Sequence, residues 1–285
     1  MTLAQLIPLL LQVSVGLVVF AVGLQSAPGD LTYLLRRPGL LVRSVLSMNV
    51  VMPLIAAGIA AGLHLRPEVE TALVLLAVSP VPPILPSKEA KAGGNVSYAI
   101  GLLVLAGTLA ILFVPFSVMA IAKLFGHAVS VPVGLVARIV GVSVLAPLIA
   151  GTLLGRVAPG LAARIAKPLS MIGTIVLALG AVVLLAGSWH ALTGAAGQFT
   201  IVAVFAFVLL SLVVGHVLGG PAEHDRTVLA LSTASRHPGV ALAVAGAIAE
   251  DKQALSAAVM LAFLVSIVAT VPYTKWRQRA RAAVR

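Results

Sequence analysis

Six stretches free of Asp, Glu, Lys and Arg, at residues 3–29, 44–65, 71–87, 92–122, 168–222 and 253–274, constrain this chain more than any motif in it. About 20 helical residues cross the hydrocarbon core of a bilayer. Most of these stretches are therefore long enough to span once, and the longest must fold back. A place to do so exists at Gly187, Ser188, Trp189 and His190, followed by the small and polar run from Gly194 to Gln198. Hydrophobic residues occupy 60% of the chain and charged residues 9%, against roughly 25% charged in soluble domains. A water-soluble fold has no means of hiding that much apolar surface. No Lys or Arg precedes Arg36, so the first segment lacks the basic start of a signal peptide and is expected to be retained as a helix.

Apolar runs, read against their Gly, Pro and charge breaks, predict an all-α polytopic membrane protein of about nine transmembrane helices, near 4–24, 39–62, 70–92, 96–123, 132–155, 166–187, 198–219, 226–249 and 253–274. The net charge of +11 does not indicate nucleic acid, because the basic residues sit in short clusters without interleaved aromatics. Topology accounts for them. With the N-terminus outside, one side of the bilayer receives Arg66, Lys123, Arg138 and Lys252, and the other receives the clusters at 36–43, 88–91, 156–167 and 275–285 with Arg226. The positive-inside rule then gives an inner-membrane protein with its N-terminus outside and its C-terminus in the cytoplasm. Its basic tail, 275–285, is expected at the anionic cytoplasmic leaflet. The absence of cysteine excludes disulfides and thiolate-held metals.

Two of the predicted spans are interrupted. In the third, Pro80, Pro82, Pro83 and Pro86 fall inside an apolar run; each removes a backbone donor and crowds the preceding turn, so the chain must unwind. Unwound backbone at membrane depth is tolerated only where protein or a wet cavity surrounds it. In the eighth, Arg236, His237, Pro238 and Gly239 break a small, apolar run. An arginine in mid-span costs about 2.5 to 3.5 kcal/mol to insert, so it faces a cavity, a partner or a substrate. Pro238 suits the first position of a new half-helix. If helices one to four (4–123) repeat as helices six to nine within 132–274, the two breaks occupy corresponding places, the pattern of an inverted-repeat transporter with crossing broken helices and a midplane site. The plainer reading has Arg236 held by carbonyls of the third segment, or by Glu89, as a fixed part of the bundle.

Taken together, IPLLLQVSVGLVVFAVGL from Ile7, APGDLTYLLRRPGLL from Ala27, VVMPLIA from Val50, SPVPP from Ser79, GGNVSYAIGL from Gly93 and HPGVALAVA from His237 resemble the bile acid:sodium symporter family. The resemblance implies a core domain and a panel domain, two broken helices crossing in the core, and alternating access with sodium-coupled uptake of organic anions. This chain departs from the family where the family binds sodium. The family's Pro-Gly-Gly-Thr-Ala-Ser-Asn run becomes Pro80, Val81, Pro82, Pro83, Ile84, Leu85 and Pro86. Its Glu-Val-Gly-Met-Gln-Asn-Ser-Gly run becomes Ser232 through Gly239, so its glutamate falls on Ser232 and its glutamine on Arg236. Another family glutamine falls on Met48, and hydroxyl positions of the fourth helix fall on apolar residues around Leu103 to Gly107.

No Asp or Glu lies between Asp30 and Glu68 or between Glu89 and Glu223, and sodium is a hard cation that needs oxygen ligands. The expectation is a carrier of a small organic anion whose sodium coupling is lost or altered. Its substrate would meet Arg236, His237, Ser235, Thr233, Ser232 and Gly239 from the eighth segment, and Pro83, Pro86 and Ser87 from the third. Two alternatives stay open: a conventional sodium symporter whose ion sits on backbone carbonyls, and a membrane ligand sensor that transports nothing. Lys88 and Glu89 either line an inward vestibule or mark the exit of the third segment to the interface. No histidine pair has metal spacing and no nucleophile, base and acid form a set. No enzymatic activity, cofactor, metal site or nucleic-acid partner is expected; sodium and homo-oligomerisation are left open, and the bilayer is the one partner that composition dictates.

Overall fold

The computed structural model describes residues 3–63, 65–124, 130–187 and 199–282. The fold-back expected at 188–198 lies outside them. Among the described residues the chain is helical throughout, without strands. In order, α1 is Leu3–Leu24, α2 Pro38–Gly62, α3 Pro67–Val78, α4 Leu85–Lys91 and α5 Val96–Leu124. They are followed by α6 Val133–Val157, α7 Pro159–Gly187 and α8 Thr200–Leu218. The last four are α9 Glu223–Ala234, α10 Pro238–Ile248, α11 Lys252–Ala269 and α12 Val271–Ala282. Among the described residues, six helical stretches are long and apolar enough to cross a membrane, and large apolar side chains such as Leu54, Phe116, Leu179 and Val217 stand exposed on helix surfaces. Lipid is the solvent those faces require.

The polypeptide starts and stops its helices with proline. Pro38, Pro67, Pro86 and Pro238 each sit in the first helical positions, where the missing N–H has no bond to lose. Pro53 and Pro147 act differently. Each lies in the first positions of a helical run that directly follows a widened, π-type turn, at Leu46–Val51 and at Gly141–Leu145. A proline inside a helix deprives an upstream carbonyl of its donor, and the preceding turn relaxes into a wider ladder.

Two packing groups follow. α1 lies against α6 and α7, while α2 to α5 and α8 to α12 share the principal core, which also takes in Val19 and Val22 of α1 and Val136, Val140, Val144 and Leu148 of α6. The first group approaches through glycine. A β-carbon at Gly151 would strike the Phe20 carbonyl and lie 3.0 Å from the Leu24 amide, and one at Gly155 would lie 2.7 Å from the Leu24 carbonyl. The Gly151 to Gly155 spacing is the small-residue repeat that lets membrane helices touch backbone to backbone. Gly215 on α8 and Gly219 just past its end do the same against Leu229, Ala230 and Arg226 of α9.

Three elements differ from expectation. α7 begins at Pro159 rather than near 166, taking Arg164 into the helix, because Leu161, Ala162, Ala163 and Ala166 are strong helix formers behind a proline start. The basic segment after Thr270 is helical to Ala282, with Arg277 donating to the Thr227 hydroxyl at 2.8 Å and to the Glu223 carbonyl at 3.0 Å. Glu89 is wholly buried, so it does not snorkel out of the third segment; α9 covers it, with Ser232 as its hydrogen-bond partner.

Gly151→Ala should lower the stability of the detergent-solubilised protein by about 1–3 kcal/mol, the cost of forcing a methyl into a closed contact. Gly58→Ala, where a β-carbon meets nothing within 4 Å, should be neutral or gain up to about 1 kcal/mol of helix propensity. Paired thermal unfolding curves check both.

Candidate functional site

The site is assembled where the two interrupted segments meet. Between α3 and α4, residues 79–84 leave the helix, and between α9 and α10, residues 235–237 do so. The His237 amide donates to the Pro80 carbonyl at 2.8 Å, so one break satisfies the other. α10 packs on α3 and α9 packs on α4.

Proline chemistry then decides where Arg236 goes. In an α-helical ladder the Met48 carbonyl would accept from the amide of Met52, but across the widened turn that amide donates to Ser47 instead. One residue further on is Pro53, which has no N–H. Met48 is left with an orphan carbonyl. Ser79 is in the same position, since the residues three and four ahead of it are Pro82 and Pro83. Arg236 serves both: Nη1 donates to the Ser79 carbonyl and Nη2 to the Met48 carbonyl, each at 3.2 Å. The arginine is 5% exposed, and among the described residues no carboxylate forms an ion pair with it. The guanidinium thus lies where carbonyl oxygens of two segments converge.

The remaining predicted residues divide by environment. Ser232 is buried and donates to Glu89 Oε1 at 2.6 Å; Thr233 is buried and shares a hydrogen bond of 2.8 Å with Ser47. His237 caps α10, its Nδ1 accepting from the Gly239 amide at 3.1 Å. That bond assigns the neutral ring's proton to Nε2. Pro83 and Pro86 are buried, Ser87 and Ser235 half-buried, and Gly239 exposed. Sequence reasoning named Ser232 and Thr233 as substrate groups, whereas here their hydroxyls are engaged with Glu89 and Ser47. It missed Ser47, and missed Met48 as a carbonyl ligand; the available signal was Pro53, five residues beyond Met48.

Among the described residues, three buried side-chain polar atoms have no hydrogen-bond partner: Arg236 Nε, His237 Nε2 and Glu89 Oε2. Two are donors at the start of α10, a helix end that favours anions. The third belongs to an acid. Among the described residues no group of three or more metal-ligating side chains is present.

A polar layer closes the end of the site nearest α9's start. Asn95 donates from Nδ2 to the Tyr33 hydroxyl at 2.7 Å and to Asp225 Oδ1 at 3.1 Å, and Tyr98 shares a hydrogen bond of 2.8 Å with Ser44. Glu223 at the tip of α9 is exposed, and the hydrogen bond from Arg277 holds its carboxyl below the ordinary carboxylate range.

Comparison with known proteins bears on the same segments. The family model described as the sodium bile acid symporter family matches residues 12–195, which includes α3, α4 and the first break. A stretch of 108 residues is 29% identical to the "Uncharacterized sodium-dependent transporter YocS" of Bacillus subtilis (strain 168), covering 38% of this chain and 34% of that protein. The match thus spans about a third of that relative's length.

Ser47→Ala and Thr233→Val should each cost about 1 kcal/mol, because either strands a buried hydroxyl. The double variant should cost no more than the worse single one, since it removes both partners. A thermodynamic cycle on purified protein reads the coupling directly.

Proposed function

The chain belongs to the sodium bile acid symporter family, and from that premise we propose that it is a secondary carrier of a small organic anion in which Arg236 has taken over the place of a coupling cation. The observation that carries this reading is the guanidinium bonded to the Ser79 and Met48 carbonyls and, among the described residues, in no ion pair with a carboxylate. Converging main-chain carbonyls are how broken helices hold ions. Here a tethered positive charge meets them. It cannot be lost by deprotonation, and its position is fixed by two hydrogen bonds.

In this reading nine helices cross the inner membrane, with the N-terminus outside and the basic α12 at the cytoplasmic leaflet. Helices one to four and six to nine form an inverted repeat. The substrate is a carboxylate or sulfonate, bound by the unpartnered donors Arg236 Nε and His237 Nε2 and by the amides opening α10 at Gly239, with Ser235 and Ser87 beside it. Two donors and a helix start suit a compact anionic head group. Rocking of the α1, α6 and α7 group against the remainder would open the site to each side in turn.

A second reading has its own support: the relative from Bacillus subtilis is described as sodium-dependent. In that reading backbone carbonyls near the breaks still hold one sodium ion, and Arg236 only braces the bundle.

The deciding experiment follows thermal stability of the purified protein with a panel of carboxylates and sulfonates, in sodium and in potassium buffer, for wild type and Arg236→Gln. A bound anion at a hundredfold excess over its dissociation constant adds about 2.7 kcal/mol. Equal stabilisation in both buffers, lost with Arg236→Gln, is the expected result. Stabilisation that needs sodium and survives the substitution would install the second reading instead.

A further inference from the structure

We propose that the outer face of α12, formed by Lys275, Trp276 and Arg279, binds the phosphate head group of an anionic phospholipid from the surrounding bilayer. The inference goes beyond transport. It rests on the placement of α12 at a membrane surface and not on the solute carried.

Neighbouring elements fix the level of this helix. Thr270 alone separates α12 from α11, which belongs to a stretch apolar enough to cross a membrane. The Tyr273 hydroxyl shares a hydrogen bond of 2.8 Å with Nδ1 of His216, in the last turn of the span α8. α12 therefore starts where two spans end. Its inner face is committed to the protein. Arg277 donates from Nε to the Thr227 hydroxyl at 2.8 Å and pairs with Glu223. Arg281 donates to the Ala90 carbonyl at 3.2 Å, and its stem packs on Gly93, where an added β-carbon would lie 3.1 Å from Arg281 Cδ. Residues 273, 277 and 281 recur every fourth position and share one side of the helix. Lys275 and Arg279, also four apart, are thereby turned to the opposite side, with Trp276 on the flank between.

The chemistry of that outer face selects the ligand. Lys275 and Arg279 are exposed, and among the described residues neither forms an ion pair. Glu223, the acid that α12 touches, is already bonded by Arg226 and Arg277. Trp276 is 51% exposed. Its ring lies 5.5 Å from that of Tyr273 and 5.6 Å from that of His216, with the Arg277 guanidinium 5.1 Å from its centre. A half-exposed indole beside two cations at the end of a span matches the water–lipid boundary: the ring settles among glycerol and upper acyl groups while the cations meet phosphate. A free anion in solution satisfies the cations but offers nothing to the indole. A phospholipid supplies both, which makes the bilayer the source.

The full chain, purified in a neutral detergent and supplied with phosphatidylglycerol, phosphatidylcholine or glycerol phosphate, tests the site by native mass spectrometry and thermal unfolding. The expected result is retention of phosphatidylglycerol over phosphatidylcholine, with a rise in Tm that glycerol phosphate does not reproduce. Two charges at a membrane surface correspond to about thirtyfold in affinity. Lys275→Gln/Arg279→Gln should therefore lose most of the preference while keeping the Tm measured in phosphatidylcholine. Arg156→Gln/Arg164→Gln, which removes two exposed charges around the α6–α7 turn, should retain both effects. Equal retention of the two lipids by wild type overturns the proposal. So does an equal loss in both double variants, because general attraction to a charged surface then suffices. A response to glycerol phosphate as large as that to the lipid makes the ligand a soluble phosphate, and paired chains that vanish with Lys275→Gln/Arg279→Gln make the face a contact between two copies; either result overturns the lipid site. Should the α12 variant fail to fold, Trp189→Phe leaves Trp276 as the lone tryptophan. Its fluorescence must then be quenched more by brominated phosphatidylglycerol than by brominated phosphatidylcholine, and equal quenching overturns the site. No transported solute enters these measurements, so their failure leaves the carrier reading standing, and a failed anion screen leaves the lipid site standing.

Discussion

Inside a bilayer each backbone N–H and C=O must find a partner within the protein, because lipid offers none. That constraint organises the centre of this molecule. Pro53, Pro82 and Pro83 withhold the amides that the Met48 and Ser79 carbonyls would otherwise use, and Arg236 donates to both. The breaks and the arginine are therefore one arrangement. Without the prolines the guanidinium would have no acceptors, and inserting it would carry the full cost of about 2.5 to 3.5 kcal/mol. Without the guanidinium two buried carbonyls would be stranded, at about 1–3 kcal/mol each. The His237 amide and Pro80 carbonyl complete the exchange.

Around this centre, the division of the helices into two packing groups follows from residue size. Gly151 and Gly155 seat α6 against α1, and Gly173 brings α7 to the Ser14 carbonyl of the same helix. Elsewhere larger side chains such as Met52, Leu73, Leu103 and Leu229 fill a continuous core. Backbone-to-backbone contact joins α1, α6 and α7 closely, while the principal core, to which Val19 and Val22 of α1 and Val136, Val140, Val144 and Leu148 of α6 also belong, depends on interdigitated side chains.

Much of this was legible in the sequence because proline and charge act locally. The uncharged stretches located the helices, four clustered prolines located the first break, and Pro238 marked the first residue of α10. What stayed hidden was pairing across the chain. That Ser232 would meet Glu89, or Ser47 meet Thr233, depends on how α2, α4 and α9 pack, and no local pattern encodes it. Glu89 shows the difference best. Its position next to Lys88, near the end of a segment, reads as an interfacial residue, yet α9 covers it completely. The orphan carbonyl at Met48 sits between these cases: Pro53 announces a lost donor, but only the packed structure brings Arg236 to it.

The charge inventory of the core also sets what it can bind. Arg236 places a positive charge at the crossover, beside the start of α10. At an effective dielectric constant near 20, a monovalent anion about 4 Å from the guanidinium gains roughly 4 kcal/mol, and a monovalent cation at the same place loses as much. A sodium ion among these carbonyls would have to overcome that repulsion and also displace a donor already bonded to them.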